Sequence, residues 1–166
     1  MLILICGLPA TGKSTVARRL SKALGAELLR TDIVRKELIK KPEYSEEEKE
    51  QIYGLTFLIA DYLIKADVDV IIDGTFYRDS LRNRARDIAK KRGKRFFLIE
   101  TKCSEDIVLK RLEGRKRNLR SPSDADTSVY YKIKDLFEEI QSKHIEIETG
   151  WNISDAMRDL VKKIKA

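Results

Sequence analysis

An apolar run, Leu2-Ile3-Leu4-Ile5-Cys6, passes without a spacer into Gly7-Leu8-Pro9-Ala10-Thr11-Gly12-Lys13-Ser14, and an amphipathic pattern starts at once. The order of apolar strand, glycine-bounded loop and helix leaves few folds open. A short continuous apolar run reads as a strand buried on both faces, so helices must cover both sides of its sheet. The two glycines permit backbone conformations that turn successive N–H groups inward, and the following helix adds the positive end of its dipole. Such a cradle fits a phosphate group. In the pattern G-x-x-x-x-G-K-S, the Lys13 ammonium reaches the β- and γ-phosphates and the Ser14 hydroxyl holds Mg²⁺. ATP and Mg²⁺ are therefore the expected cofactors, with Gly7, Leu8, Pro9, Ala10, Thr11, Gly12, Lys13, Ser14 and Thr15 as the binding segment.

The remaining chain alternates in the same manner. Val68–Ile72 and Phe96–Ile99 read as buried strands, and Glu27–Leu29 and Ile145–Thr149 as weaker ones. Ile145-Glu146-Ile147-Glu148 alternates, which places that strand at an edge with one wet face. Helical patterns cover Ser14–Leu24, Ser80–Arg92, Ser104–Arg111, Ser128–Ser142 and Asp155–Lys165. Ser45-Glu46-Glu47-Glu48 is a capping box that opens a helix towards Lys65. Strands alternating with helices predict a parallel sheet between two helical layers, in one domain spanning residues 1–166. Residues 114–126, basic and then rich in Ser, Pro and Asp, suit a lid.

Two carboxylates fall at strand ends, where a doubly wound sheet gathers its functional groups. Asp32 follows the second strand and is placed to take a proton from an attacking hydroxyl. Arg35 lies three residues on, with a fork suited to an anionic group on the acceptor. Asp73 closes Val70-Ile71-Ile72-Asp73-Gly74-Thr75, the form of a carboxylate that organises Mg²⁺ or touches the acceptor. Ser14, Asp32 and Asp73 are thus the candidate metal ligands. Phosphoryl transfer also needs positive charge on the migrating group. Arg111 and Arg115, entering the lid, are the candidates, with Lys116, Arg117 and Arg120 behind them.

Charged residues make up 37% of the chain, Gln occurs twice and the net charge is +7. That composition is shared with hyperthermophile surfaces laced with ion pairs, and also with proteins that bind polyanions. Arg82, Arg86 and Lys90 repeat every four residues as one charged stripe, either the wet face of a helix or a track for nucleic acid. No aromatic side chains interleave it. One histidine, His144, excludes triads and histidine metal clusters. Cys6 and Cys103 have no metal-type spacing, which fits a reduced, cytoplasmic protein. Asp61 interrupts the most apolar internal stretch, Leu55–Ile64, so no membrane span is expected.

Gly7 to Ser14, Asp32-x-x-Arg35, Asp73-Gly74-Thr75 and Arg111 with Arg115 together resemble the kinase domain of phage polynucleotide kinase and the related small P-loop kinases of the AAA type. The resemblance runs from Met1 to about Ile140. It implies a three-layer P-loop NTPase fold with a five-stranded parallel sheet in the order 2-3-1-4-5. By it, Asp32 is the general base, Arg35 binds the acceptor, Asp73 lies near the acceptor and Arg115 grips the phosphates from the lid. It also places adenine near Gly150-Trp151-Asn152, with Trp151 either flanking the base or filling the core. The implied reaction moves the γ-phosphoryl group of ATP to a hydroxyl, with a polynucleotide 5′-hydroxyl as first choice of acceptor. The alternatives are a small-molecule kinase for a nucleoside or nucleotide, a sugar or an antibiotic, and a non-kinase nucleotide-binding ATPase module.

Overall fold

A computed structural model of the chain describes residues 1–116, 125–150 and 152–166. Five strands, β1 (Leu2–Cys6), β2 (Glu27–Arg30), β3 (Val70–Asp73), β4 (Phe96–Lys102) and β5 (Ile145–Glu148), form one sheet. Every pairing is parallel and the order is β2-β3-β1-β4-β5, the predicted one. The helices are α1 (Lys13–Leu24), α2 (Thr31–Leu38), α3 (Glu46–Lys65), α4 (Asp79–Lys91), α5 (Glu105–Lys116), α6 (Thr127–Leu136) and α7 (Ser154–Lys165).

The period-two geometry of the central strands divides the core. Leu2, Leu4 and Cys6 of β1, with Val70 and Ile72 of β3, face the side covered by α3 and α4. Ile3, Ile5 and Ile71 face the opposite side, where Val16, Ala17 and Leu20 of α1 and Met157, Leu160 and Ile164 of α7 close over them. Both faces of β1 are dry, so it carries no polar residue. At the edge, β5 turns Ile145 and Ile147 to the α1–α7 side and leaves Glu146 and Glu148 in water, as its alternation predicts.

Local signals set the helix ends. Ser45 Oγ accepts the Glu48 N–H at 3.1 Å to start α3. Gly25, at φ 67°, ends α1 in the left-handed conformation, with its N–H on Ser21 O. Three elements end three or more residues away from the expected position. β4 continues through Glu100-Thr101-Lys102, because β5 offers ladder partners as far as Lys102 after β1 has ended opposite Glu100. Helix α5 runs on to Lys116, which takes Gly114 out of the expected lid. Helix α6 stops at Leu136 rather than Ser142, because Glu138 is drawn away: its N–H donates to Tyr77 O at 2.8 Å and its carbonyl accepts from Arg82. Tertiary hydrogen bonds there outcompete helix propensity.

The Arg82–Arg86–Lys90 stripe also differs from expectation. Arg82 is fully buried and donates to Phe76 O at 3.0 Å and Glu138 O at 2.9 Å. Arg86 turns to Ser142 Oγ at 2.6 Å. Neither guanidinium lies along a wet face, so the stripe is no track for a nucleic-acid backbone. No helix among the described residues is long and apolar enough to cross a membrane.

Candidate active site

Residues Ile5, Arg30 and Asp73 align in register at the carboxyl ends of β1, β2 and β3. The loops leaving those ends surround a cavity of about 350 Å³, lined among others by Gly12, Lys13, Ser14, Asp32, Arg35 and Asp73. The phosphate loop takes three positive φ values, 138° at Gly7, 63° at Ala10 and 89° at Gly12. Glycine at position 7 is required twice over. A Cβ there would lie 2.6 Å from Thr101 O, in a conformation that L side chains rarely adopt.

Buried hydroxyls brace this loop from beneath. Thr11 Oγ1 donates to Leu8 O at 2.7 Å and lies 2.7 Å from Thr101 Oγ1. Thr149 Oγ1 donates to Thr11 O at 2.5 Å. Arg111 completes the brace, with Nη1 on Ala10 O at 3.1 Å and Nη2 on Thr149 O at 2.6 Å. It was expected over the triphosphate, but its guanidinium is engaged with the loop's backbone and is not among the residues lining the cavity. The side chain of Arg115 lies outside the described residues, as do Arg117, Arg120 and Trp151 and the side chain of Lys116. The expected lid, 114–126, falls mostly there as well.

Inside the cleft, Lys13 Nζ donates to Leu8 O at 2.7 Å, folded back across the loop. Ser14 Oγ donates to Asp73 Oδ2 at 2.6 Å, and Arg30 Nε approaches the same oxygen at 3.2 Å. Thr31 Oγ1 lies 3.3 Å from the Asp73 carbonyl. The Ser14 hydroxyl and the buried Asp73 carboxylate offer adjacent hard oxygen donors, a chemistry that fits Mg²⁺.

Asp32 faces this pair from the first turn of α2. Its side chain keeps 38% of its surface open to the cleft, yet protein crowds its other sides. Burial raises its pKa above the ordinary aspartate value. The positive charge of Lys13 opposes that rise and the negative charge of Asp73 adds to it. Arg35 stands 3.8 Å from Asp32 and gives its Nε to Glu48 Oε1 at 2.8 Å, with the Tyr44 ring 5.0 Å from its guanidinium. Burial works against the charge of Glu48. The N–H groups of Glu43 and Tyr44, at 2.7 and 3.1 Å, and Arg35 hold its pKa below the usual range all the same. Part of the Arg35 fork is therefore spoken for, and the rest borders the cleft. Burial pushes the Cys6 thiol up to about 12, which removes it as a nucleophile.

Arg30, Thr101 and Thr149 were not singled out from the sequence. Arg30 and Thr101 occupy strand carboxyl ends and Thr149 directly follows one, and that position was the available signal. Tyr44, Lys49, Tyr53, Tyr77 and Lys132 complete the outer half of the cleft, and nothing local in the sequence marks them.

A parallel sheet in this order, a phosphate loop after β1 and carboxylates at the ends of β2 and β3 define the P-loop kinase fold. The chain belongs to the AAA domain family, whose profile matches residues 2–140. It is 27% identical to L-seryl-tRNA(Sec) kinase of Methanococcus maripaludis, over 99% of this chain and 61% of that protein. It is 30% identical to an uncharacterized protein of Mycobacterium tuberculosis, over 69% of this chain and 25% of that protein. The chain thus spans only part of these curated relatives.

Among solved structures, a putative kinase from Chloroflexus aurantiacus superposes with a TM-score of 0.80 at 18% identity, over 99% of this chain and 96% of that one. The Mycobacterium tuberculosis APS kinase CysC, in complex with AMPPNP and APS, superposes with a TM-score of 0.76 at 16% identity, over 99% and 97%. These structural likenesses establish the fold, and the profile match establishes the family. The narrower phage polynucleotide kinase group is not established by them.

Proposed function

We propose that the domain is an ATP-dependent kinase that transfers the γ-phosphoryl group to a hydroxyl acceptor. The observation that carries this reading is one cleft holding the phosphate loop, the Ser14–Asp73 pair and Asp32, a carboxylate whose proton affinity is raised. The phosphate loop with Lys13 binds the β- and γ-phosphates. Ser14 and Asp73, with Asp32 nearby, would hold Mg²⁺, which when bound neutralises charge on the phosphates. The acceptor oxygen attacks the γ-phosphorus, the bond to the β–γ bridging oxygen breaks, and the hydroxyl proton passes to Asp32. A raised pKa suits that role, because the base must hold the proton once it has it. Arg35 positions an anionic group of the acceptor, and Arg115 is assigned to the migrating phosphoryl group.

For the acceptor, a hydroxyl borne by nucleic acid is the first choice, either a polynucleotide 5′ end or a seryl group carried on RNA. The seryl group is supported by the likeness to L-seryl-tRNA(Sec) kinase along nearly the whole chain, and the 5′ end only by the resemblance of the site motifs to the phage kinase domain. A small-molecule acceptor is the second reading, favoured by the inward turn of Arg82 and Arg86. The test begins with thermal shifts of wild type and Lys13→Ala against nucleotides with Mg²⁺. At a hundred times its dissociation constant, ATP should add about 2.7 kcal/mol to the wild type only. Labelled ATP is then offered with a 5′-hydroxyl oligonucleotide, serine-charged tRNA and small-molecule pools. Equal behaviour of wild type and variant in the first step removes the kinase reading. ATP turnover without any labelled acceptor assigns a plain ATPase.

A further inference from the structure

Helix α3 buries one apolar face and carries three further apolar side chains, Leu55, Leu58 and Tyr62, on the opposite one. Tyr53, Phe57, Ala60 and Ile64 enter the core. On the other side, Gln51, Leu55, Leu58, Tyr62 and Lys65 follow one another at spacings of four, three, four and three residues. That is the 3.5-residue period of a helix-pairing seam. Leu58 and Tyr62 keep 53% and 65% of their surface exposed, and Leu55 between them and Gln51 is half-buried. A helix that packed on one face only would carry polar residues at the middle of this stripe, where Leu55, Leu58 and Tyr62 stand.

We propose that this seam is a homodimer interface in which α3 pairs antiparallel with α3 of a second copy about a two-fold axis. The seam is complementary to itself in that orientation alone. An antiparallel register centred between residues 56 and 57 sets each Leu55 against Leu58 of the other copy, and each Tyr62 over Gln51. It brings Lys65, at the end of the helix, to the first turn of the other α3, where Glu47 is exposed. Lys65 also acts on Asp61 one turn earlier in its own helix, and among the described residues Glu47 has no ion pair within its own chain. A parallel pairing would instead stack Glu47 on Glu47 and Lys65 on Lys65. Because the interface is isologous, each favourable contact occurs twice. One helix of 20 residues, about 30 Å long, gives an interface at the small end of the specific range, so the dimer forms reversibly with concentration.

Sedimentation reads mass rather than turnover, so its outcome is independent of the proposed catalysis. Sedimentation of the wild type from about 1 to 500 µM should pass from monomer to dimer. Leu58→Glu, which sets two carboxylates beside the two-fold axis, should be monomeric throughout that range. Glu47→Lys and Lys65→Glu should each weaken association about tenfold by facing like charges. The double variant Glu47→Lys with Lys65→Glu should return to within about threefold of wild type. Thermal unfolding of each variant confirms that the exposed substitutions leave the fold intact. A wild type that stays monomeric assigns the stripe to another occupant and overturns the proposal. So does a dimer that survives Leu58→Glu, or a double variant as weak as the singles.

Discussion

Asp32 meets two demands that pull in opposite directions. As a base it needs a high proton affinity, and the fold supplies one by crowding the carboxyl and setting Asp73 near it. The same crowding destabilises the folded chain whenever Asp32 is charged. With a pKa raised in the folded state, the native protein binds the proton more readily than the unfolded chain. Stability is therefore lost as pH rises above the ordinary aspartate value of 3.8. Asn keeps the shape without the charge. In buffer free of nucleotide and Mg²⁺, Asp32→Asn should thus melt higher than wild type at pH 7, and the difference should close as the pH falls towards 4. The same substitution should lower phosphoryl transfer by about 10²-fold or more while ATP binding survives. A variant that melts below wild type at pH 7 would show Asp32 to be a structural partner of Arg35. Unchanged turnover would place the base elsewhere.

At the scale of elements, the phosphate loop works only because β4, α5 and the end of β5 hold it. Arg111 shows how. Its position, entering a basic segment after a strand, read in the sequence as a group for the phosphates, but its bonds run to Ala10 O and Thr149 O. Removing it should cost about 1–3 kcal/mol of stability, since two carbonyls lose charged donors. The loop's N–H cradle also loses its preorganisation, so Arg111→Ala should weaken nucleotide binding about tenfold. Calorimetry with ADP and ATP distinguishes the two roles: a loop brace weakens both alike, and a phosphate contact weakens ATP more. The strands and their order were legible because buried apolar runs, an alternating edge and the resemblance all pointed the same way. The phosphate loop and Asp73 were legible because the chemistry ties their positions to strand ends. Thr101 and Thr149 were not, since a lone threonine after a strand looks the same whether it braces a loop or meets water. The early end of α6 was hidden for a related reason. What breaks it is Tyr77 and Arg82, some 60 residues away.

Across the whole molecule, several of the basic residues are tied into the fold by acidic partners. Arg92 forks onto Asp61 with both bonds at 2.7 Å, Lys94 meets Asp67 at 2.5 Å, and Arg78 meets Glu50 at 2.8 Å. Arg82 goes furthest inward. It joins α4, the β3–α4 loop through Phe76 O, and the segment after α6 through Glu138 O. Phe76 sits at a strained φ of 44°, and Gly74, Thr75 and Tyr77 around it line the cleft. Arg82 thus fastens the wall of the cleft to the segment that follows α6. Met would fill much of its volume but leave both carbonyls without donors, so Arg82→Met should lose about 3 kcal/mol, read as a lower urea midpoint with unchanged slope. A residue that contacted nucleic acid would behave differently. Each lost phosphate contact flattens the salt dependence of single-strand binding by about 0.7. Titrating wild type and Arg82→Met with a short 5′-hydroxyl strand at several salt concentrations should give equal slopes, because a fully buried guanidinium neutralises no external phosphate. A slope lower by about 0.7, with the urea midpoint unmoved, would return Arg82 to the surface as a contact.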